Sequence, residues 1–391
     1  MGKKALILAN SGSGLYDFRG GLITRLKDAG YEVLCALPDA DAVKELRALG
    51  AKVVRTPMNR RGMNPVEDVK LYRGYRALLK KERPDIVLTY TIKPNIYGGY
   101  ACRKEGIPYI ATVTGLGSVF QSESEGTGTL THFSEKRVCV PVPLTHLQRL
   151  VTAMYRTALK DCKCLFFQNA NNRAVFERFS IPSGKTKLVN GSGVDLKRHM
   201  PEDYPGHTQE TTQFLYVGRL MKEKGSIELL RALRRLVNEY PERAHLTCVG
   251  YMEDESSADA QEIAALARQA EEDNLLTRLP YDKEIHAHYA KADAVVMPSY
   301  HEGMSNVLME ASATARCVLA SDIPGCKEIV EDTVTGFLFP ARDEDALFYA
   351  MEKFLKLLVA ERRMMGRAAR RKMECEFDRE QIMDAYMEEI L

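Results

Sequence analysis

The chain alternates short β-rich runs with amphipathic stretches, and does so twice with a polar interruption between the two series. The first series predicts strands near Ala5–Ala9, Glu32–Ala36, Lys52–Arg55, Ile86–Thr89, Tyr109–Val113 and Leu165–Gln168. Short, continuously apolar runs separated by helical patterns belong to strands covered on both faces, so the expected class is α/β with a parallel, doubly wound sheet. After Gly191-Ser-Gly-Val-Asp195 come Pro201, Pro205, Gly206 and the polar run Thr208–Gln213, which reads as a linker. The alternation then restarts, with strands at Phe214–Gly218, Leu246–Gly250, Ala294–Met297 and Val318–Ala320 and helical patterns clearest over Ile227–Glu239 and Ile263–Glu272. The 391 residues exceed the roughly 250–300 over which one core usually grows, which also favours two domains. Two Rossmann-like domains, 1–195 and 196–377, are therefore expected, facing each other across a cleft at their strand ends.

Several function classes are disfavoured. The longest apolar runs, such as Ala5–Ala9 and Leu165–Phe167, fall far short of the ~20 residues that span a bilayer. The run behind Lys3 and Lys4 stops at Asn10, too short for a signal-peptide core, so a cytoplasmic location is expected. Nine cysteines, with Cys162 and Cys164 the one close pair, read as reduced thiols and not as disulfides or zinc ligands. Residues 1–190 carry 30 Lys+Arg against 16 Asp+Glu, and the remainder 25 against 37. A basic half attracts phosphates, anionic lipid or nucleic acid, or pairs with the acidic half beside it. Nucleic acid is the weakest of these, because the basic windows lack interleaved aromatics and recognisable modules.

Three local patterns carry chemistry. Gly12-Ser-Gly14 follows the first strand, but Asp17 stands where a dinucleotide fingerprint needs its third glycine. The pattern is either a tight turn or a place where backbone amides approach a phosphate or sugar, with Gly14 as the candidate. In the second series, His301-Glu302-Gly303-Met304-Ser305-Asn306-Val307-Leu308-Met309-Glu310 follows a strand ending at Met297-Pro298-Ser299. Strand, glycine-bearing turn and helix would aim a helix N-terminus at an anion, with Glu302 in the loop and Glu310 placed to accept hydroxyls, as from a ribose diol. Gly218-Arg219 and Lys224-Gly225 flank the first strand-to-helix turn of the same series, where a guanidinium and an ammonium form a diphosphate clamp. No Asp-x-Asp signature stands within these donor elements, so a metal-independent nucleotide-sugar site is expected, with no cofactor. Two acids eight residues apart, taken alone, read equally as solvated surface groups.

Together these features resemble the family-four retaining glycosyltransferases of the GT-B fold: Val217-Gly-Arg219, Lys224-Gly225, Glu302-x7-Glu310, Gly325 with Glu328-Ile-Val330, and Thr335-Gly336-Phe337-Leu338. Phe18-Arg19-Gly20, Lys93-Pro-Asn-Ile-Tyr-Gly98 and Val113-Thr-Gly-Leu-Gly117 are similar to the branch acting on polyprenyl-diphosphate-linked sugars in bacterial capsule, exopolysaccharide and glycoprotein-glycan assembly. The resemblance implies that Arg219 and Lys224 hold the donor diphosphate, Glu310 the ribose and Glu302 the transferred sugar. Gly218 and the run Gly303, Met304, Ser305, Asn306 and Val307 complete the donor set, and Glu302, Arg219 and Lys224 are the catalytic candidates. It also implies retention by front-face attack, and a C-terminal stretch 378–391, with Ile382, Tyr386 and Ile390 at helical spacing, that packs on the first domain. One departure stands out: Thr114-Gly115 occupies the place of a His-Gly pair found in many members.

On the acceptor side, Lys93, Asn95 and Thr114 follow the fourth and fifth strands and are the candidate contacts, with Tyr97 nearby. Eight basic residues between Arg60 and Arg83 against three acids, with Leu71, Tyr75, Leu78 and Leu79 at helical spacing, form a basic amphipathic helix. A second candidate runs over Leu144–Lys160. Each is either a helix packed on the sheet with a solvated face or a surface that docks on anionic lipid at the inner face of the cell membrane. Phe120–Thr145, rich in Gly, Ser and Thr, reads as a long excursion, a lid or a disordered segment. The expected activity is transfer of a hexose or N-acetylhexosamine from a UDP-sugar to a lipid-linked saccharide. The alternatives are a nucleotide-sugar epimerase of the same architecture and an inactive nucleotide-sugar-binding subunit.

Overall fold

The computed structural model describes residues 2–60, 62, 64–116, 145–181, 184–205, 211–252 and 256–391. Nearly all of the expected excursion at Phe120–Thr145, together with Arg61 and Gly117, lies outside the described residues. The chain divides into two units: Met1–Ser192 together with Met383–Leu391, and Gly193–Ile382.

The first unit contains β1 (Lys4–Leu8), α1 (Gly12–Asp28), β2 (Glu32–Leu37), α2 (Val43–Ala48), β3 (Lys52–Arg55), α3 (Pro65–Glu82), β4 (Ile86–Tyr90), a π-helical turn (Pro94–Gly98), α4 (Gly99–Glu105), β5 (Tyr109–Val113), α5 (His146–Ala158), β6 (Cys164–Phe167), α6 (Ala170–Arg178) and β7 (Thr186–Leu188). All neighbouring strands are parallel in the order β3-β2-β1-β4-β5-β6-β7, with Leu6 opposite Leu34 on one side and Val87 on the other. The chain winds outward from β1 to β3, then returns to add β4 on the other flank of β1. Strand order therefore reverses between β1 and β4, and ligands of such sheets bind outside the carboxyl ends at this switch point.

The second unit repeats the scheme with β8 (Thr212–Val217), α7 (Ser226–Glu239), β9 (Ala244–Val249), α8 (Ala258–Glu272), β10 (Leu276–Leu279), α9 (His286–Lys291), β11 (Ala294–Met297), α10 (Asn306–Ala313), β12 (Cys317–Ser321), β13 (Gly336–Phe339), α11 (Glu344–Leu355) and α12 (Val359–Glu376). Its parallel order is β10-β9-β8-β11-β12-β13, with the reversal between β8 and β11. Apolar residues on both phases of each strand build two cores. Phe214, Tyr216, Ala294, Val296 and Leu319 pack with Leu229, Leu233, Leu236 and Phe348 on one face, while Leu215, Val295, Met297, Val318 and Ala320 pack with Leu308 and Met309 on the other. This explains why the strands read as unbroken apolar runs and not as alternations.

Local signals account for the helix ends. Asn64 caps α3 by accepting from the Val66 amide at 3.0 Å, Pro65 takes the first helical position, and Glu67 and Asp68 fill the acidic first turn. Helix α3 buries Leu71, Tyr75 and Leu79 against the sheet, and stops at Arg83 in the left-handed conformation before Pro84. A final helix, α13 (Arg379–Ile390), runs through the boundary between the units. Within the first unit, its Tyr386 stacks on Phe166 with centroids 4.1 Å apart, and the Tyr386 hydroxyl lies 3.0 Å from Thr112 Oγ1. The Arg19 guanidinium sits over both the Tyr90 and Tyr386 rings. Met383 Sδ lies only 2.6 Å from where a Cβ on Gly21 would stand, so a side chain there would push the Met383 thioether aside.

Candidate functional site

The second unit gathers its chemistry at the β8/β11 reversal. Leaving β8, Gly218 takes φ 151 and donates its amide to Val249 O at 3.0 Å, and the Tyr216 hydroxyl donates to Arg219 O at 2.7 Å. The backbone that presents the exposed Arg219 is thus held from below by a buried ring. A 3₁₀ turn (Lys222–Lys224) follows, closed by Gly225 at φ 69. A Cβ on Gly225 would stand 2.1 Å from Pro298 O, so glycine is required for this turn to lie against the strand end of β11. Tyr300 donates its amide to Glu223 O at 2.9 Å, joining the loop after β11 to the same turn.

That junction brings Lys224 Nζ to 2.5 Å from Glu302 Oε1, across 78 residues of sequence. Both side chains are largely buried, with 26% and 14% exposure, so their attraction is screened less than that of a surface pair. The loop bearing Glu302 is clamped from its other side. A Cβ on Gly325, at φ 89, would meet Gly303 O at 2.6 Å, while Ser305 donates its amide to Gly325 O and Gly325 donates its own to Glu328 Oε2. The Gly325 and Glu328 pattern is thereby explained as the seat of the Glu302 loop. Cys326, packed under this site, is a buried thiol whose pKa is pushed well above its ordinary value by burial, which makes it a poor nucleophile.

Glu310 lies on α10 and accepts a 3.0 Å hydrogen bond on Oε2 from the hydroxyl of Tyr289, a fully buried residue of α9. Burial first, and the neighbouring carboxylate second, push the Tyr289 pKa well up, so the phenol stays a donor. Tyr289 was not among the residues singled out from sequence. Its 21-residue distance from Glu310 and its place in a six-residue helix leave no local signal.

Two members of the predicted donor run, expected to act through their backbone, have buried side chains. Met304 is buried in the core under β11 and β12, and Ser305 is buried with its amide on Gly325 O and its hydroxyl accepting from the Leu308 amide at 3.4 Å. Their side chains build the loop and the cap of α10. Gly303, Asn306 and Val307 stay partly accessible beside the Lys224–Glu302 pair in sequence.

The first unit's candidates fare differently. Gly14 is not in an open turn but in the first turn of α1, where its amide donates to Ser11 Oγ at 3.2 Å, while the Gly12 amide donates to Asp39 Oδ1 at 3.1 Å. The need for glycine lies at Gly12, where a Cβ would stand 1.9 Å from Asp41 O. Asn95 is fully buried: its Oδ1 accepts from Thr89 Oγ1 at 2.7 Å and its Nδ2 donates to Thr112 O at 2.8 Å. It links β4 to β5 and has no exposed surface to offer an acceptor, which corrects the acceptor reading. Lys93 Nζ is held at 2.6 Å by Asp68 Oδ1, whose other oxygen accepts from the Tyr97 hydroxyl at 2.8 Å. Thr114 is half-buried just past β5.

The predicted basic helix is present as α3, with Lys70, Arg73, Lys80, Lys81 and Arg83 exposed, whereas Arg76 is engaged by Glu105 at 2.8 Å. Among the described residues no helix is long and apolar enough to cross a membrane.

Comparison with known proteins identifies the frame. Residues 4–169 match the family model described as "Glycosyl transferase 4-like", and residues 211–357 match "Glycosyl transferases group 1". The chain belongs to the GT4-type glycosyltransferases. This glycosyltransferase is 25% identical over 340 residues to the N,N'-diacetylbacillosaminyl-diphospho-undecaprenol alpha-1,3-N-acetylgalactosaminyltransferase of Campylobacter jejuni, covering 84% of this chain and 83% of the relative. It is also 25% identical over 303 residues to the UDP-Gal:alpha-D-GlcNAc-diphosphoundecaprenol alpha-1,3-galactosyltransferase of Escherichia coli, covering 74% of this chain and 71% of that one. In three dimensions it resembles Anabaena Alr3699/HepE, solved in complex with UDP, at a TM-score of 0.76 over 99% of both chains and 17% identity. Its fold is GT-B, two Rossmann-like domains, as expected from the sequence.

Proposed function

We propose that this glycosyltransferase moves a hexose or N-acetylhexosamine from a UDP-sugar to a saccharide carried on a polyprenyl diphosphate, with retention and without a metal, in the assembly of a surface polysaccharide or glycan. The observation that carries the reading is the Lys224–Glu302 pair beside Arg219 at the strand-order reversal of the second unit. A cation and a carboxylate that neutralise each other across two loops are suited to separate partners on a nucleotide sugar. Lys224 and Arg219 take the diphosphate as negative charge builds on it, and Glu302 takes hydroxyls of the sugar. Glu310, one oxygen of which accepts from the Tyr289 hydroxyl, is read as the ribose contact. The two relatives above are named for diphospho-undecaprenol acceptors, and this chain spans most of each, which supports the lipid-linked acceptor.

In the reaction read here, the bond from the anomeric carbon to the leaving phosphate oxygen breaks and a bond to the acceptor oxygen forms on the same face. The acceptor's hydroxyl proton passes to the departing phosphate, so no enzyme nucleophile is needed. With Thr114 where many members carry histidine, that position offers a hydroxyl and its backbone, not an imidazole. The exposed cations of α3 are read as contacts to anionic lipid at the inner membrane face, each contributing about 1 kcal/mol when close to the surface. Arg76 is left out of that set because Glu105 already holds it.

The test is incubation with UDP-sugars and polyprenyl-diphosphate saccharides, with and without chelator. UDP release that needs the acceptor, with the donor's anomeric configuration kept in the product, supports transfer. Interconversion of the donor sugar without acceptor would establish the epimerase instead, and binding without turnover across a broad acceptor panel would establish an inactive subunit.

A further inference from the structure

The first unit carries a groove of about 560 Å³ on its helical layer, walled by Pro65, Val69 and Tyr72 of α3, Tyr97 of the π-helical turn, Tyr100 of α4 and Met154 of α5. We infer that this groove holds part of the polyisoprenoid chain of the acceptor lipid, an inference that rests on the lipid-linked acceptor read above.

Apart from Lys104, the polar groups lining the groove already have partners in the protein. Asp68 has one oxygen on the Lys93 ammonium and the other under the Tyr97 hydroxyl. The Tyr100 hydroxyl donates to Met154 O at 3.0 Å, and Arg103 is bound to Asp161 and to Thr157 O. What remains for an occupant is mainly aromatic face and hydrocarbon. A peptide laid there would leave its backbone groups without partners, a penalty that an isoprenoid, having no donor or acceptor, does not meet. The volume lies within the range of small-ligand clefts, roughly 300–1,000 Å³.

Two further observations fix the class of ligand. Exposed aliphatic side chains continue beyond the groove on the same helices, with Val66 62% exposed and Leu150 58%. Next to an apolar groove, such exposed aliphatic side chains extend the surface available to a hydrocarbon ligand. Around them stand the exposed cations Lys70, Arg73 and Lys104. An apolar channel with a cationic border matches a long hydrocarbon that ends in phosphate. On this account Lys93 does not touch the acceptor's diphosphate. It neutralises Asp68, the one acid in the lining, and so keeps the groove apolar.

The experiment uses the full chain and two fluorescent probes, geranylgeranyl phosphate and geranyl phosphate, which share a head group and differ in chain length. The parent should bind the longer probe at least roughly tenfold more tightly, as follows from the added apolar contact. Val69→Glu and Met154→Glu each place a charge in the groove and should remove that preference while leaving the short-probe affinity and the melting temperature near the parent's. Should either variant lose folded signal, Val69→Ser is the replacement, with a smaller loss of preference expected. Equal affinity for both probes, or undiminished preference in the variants, would overturn the inference. So would a fall in melting temperature with lipid binding intact, which would assign the groove to packing by the chain's own residues. Binding to anionic vesicles that contain no polyprenyl phosphate, weakened equally in the variants, would assign it instead to a bilayer contact. Failure to transfer sugar to any polyprenyl-diphosphate saccharide, with chain-length-dependent binding intact, would sink the transfer reading and leave the groove standing.

Discussion

The two units share one topology, yet their equivalent strand-order reversals use a lysine in opposite ways. In the second, Lys224 lies just past β8 and meets Glu302 from the loop after β11, both on glycine-bearing turns seated against strand ends. In the first, Lys93 lies just past β4 and meets Asp68, which sits in the first turn of α3 and also holds Tyr97. The loop pair can be parted by a ligand without disturbing a helix. The helix pair anchors a wall. Topology marks where ligands can bind, and the partners of each charged group decide whether that group is available to them.

The largest expected effect comes from breaking the loop pair. Lys224→Ala and Glu302→Gln should each lower kcat/KM by roughly 10²–10³, the scale of losing one preorganised partner of a developing charge, with far-ultraviolet circular dichroism unchanged. Lys93→Ala, its counterpart in the first unit, should change the donor KM less than about threefold. A comparable loss in all three variants would abolish the distinction between the two pairs.

Asn95 sharpens the contrast from the side of stability. Replacing it with Ala leaves the buried Thr89 hydroxyl and Thr112 carbonyl without their present partner, and should destabilise the first unit by roughly 2–3 kcal/mol. Denaturant unfolding measures this, and a variant as stable as the parent but inactive would return Asn95 to the acceptor site.

Acid should separate the units as well. His199, in the second unit, is buried and its pKa is lowered to about 4, mainly by burial and then by the neighbouring Arg198. The unfolded imidazole takes a proton below about 6.5 while the folded one resists until about 4, so stability is full above 6.5 and falls with pH through that window. The loss is at most about 3 kcal/mol. Protection factors, which divide out the intrinsic pH dependence of amide exchange, should fall between pH 7 and 4 in Gly193–Ile382, and His199→Gln should flatten that dependence. An identical acid response in the variant would place the effect elsewhere.

A smaller change is expected at the ribose contact. Tyr289→Phe removes the hydrogen bond to Glu310 Oε2 and should raise the donor KM by roughly tenfold with kcat little changed, since a hydrogen bond to a charged group is worth about 1.5 kcal/mol. An unchanged donor KM, or a fall in kcat of the same size, would remove Tyr289 from this role.

How much of this was legible beforehand follows the range over which each signal acts. Strands such as Ile86–Tyr90 and Ala294–Met297 are buried along their whole length, and so announced themselves as unbroken apolar runs. The strands passed over, β7, β10 and β13, flank or end their sheets, with sequences Thr-Lys-Leu, Leu-Thr-Arg-Leu and Gly-Phe-Leu-Phe that are too short or too polar to stand out. The Glu302 to Glu310 element was readable because strand, turn and cap follow one another directly. Its pairing with Lys224 was not, because only the tertiary fold closes a gap of 78 residues. Asn95 misled for the complementary reason: a polar residue after a strand end looks the same in sequence whether it faces solvent or is already bound to Thr112.

The most direct test of the account is calorimetric titration of UDP into the parent, Lys224→Ala and Lys93→Ala. The account predicts parent-like affinity for Lys93→Ala and a loss of at least roughly tenfold for Lys224→Ala, as expected for removing a charge-assisted bond to diphosphate. Tight binding that survives Lys224→Ala but is lost in Lys93→Ala would contradict it, and would move the nucleotide to the first unit.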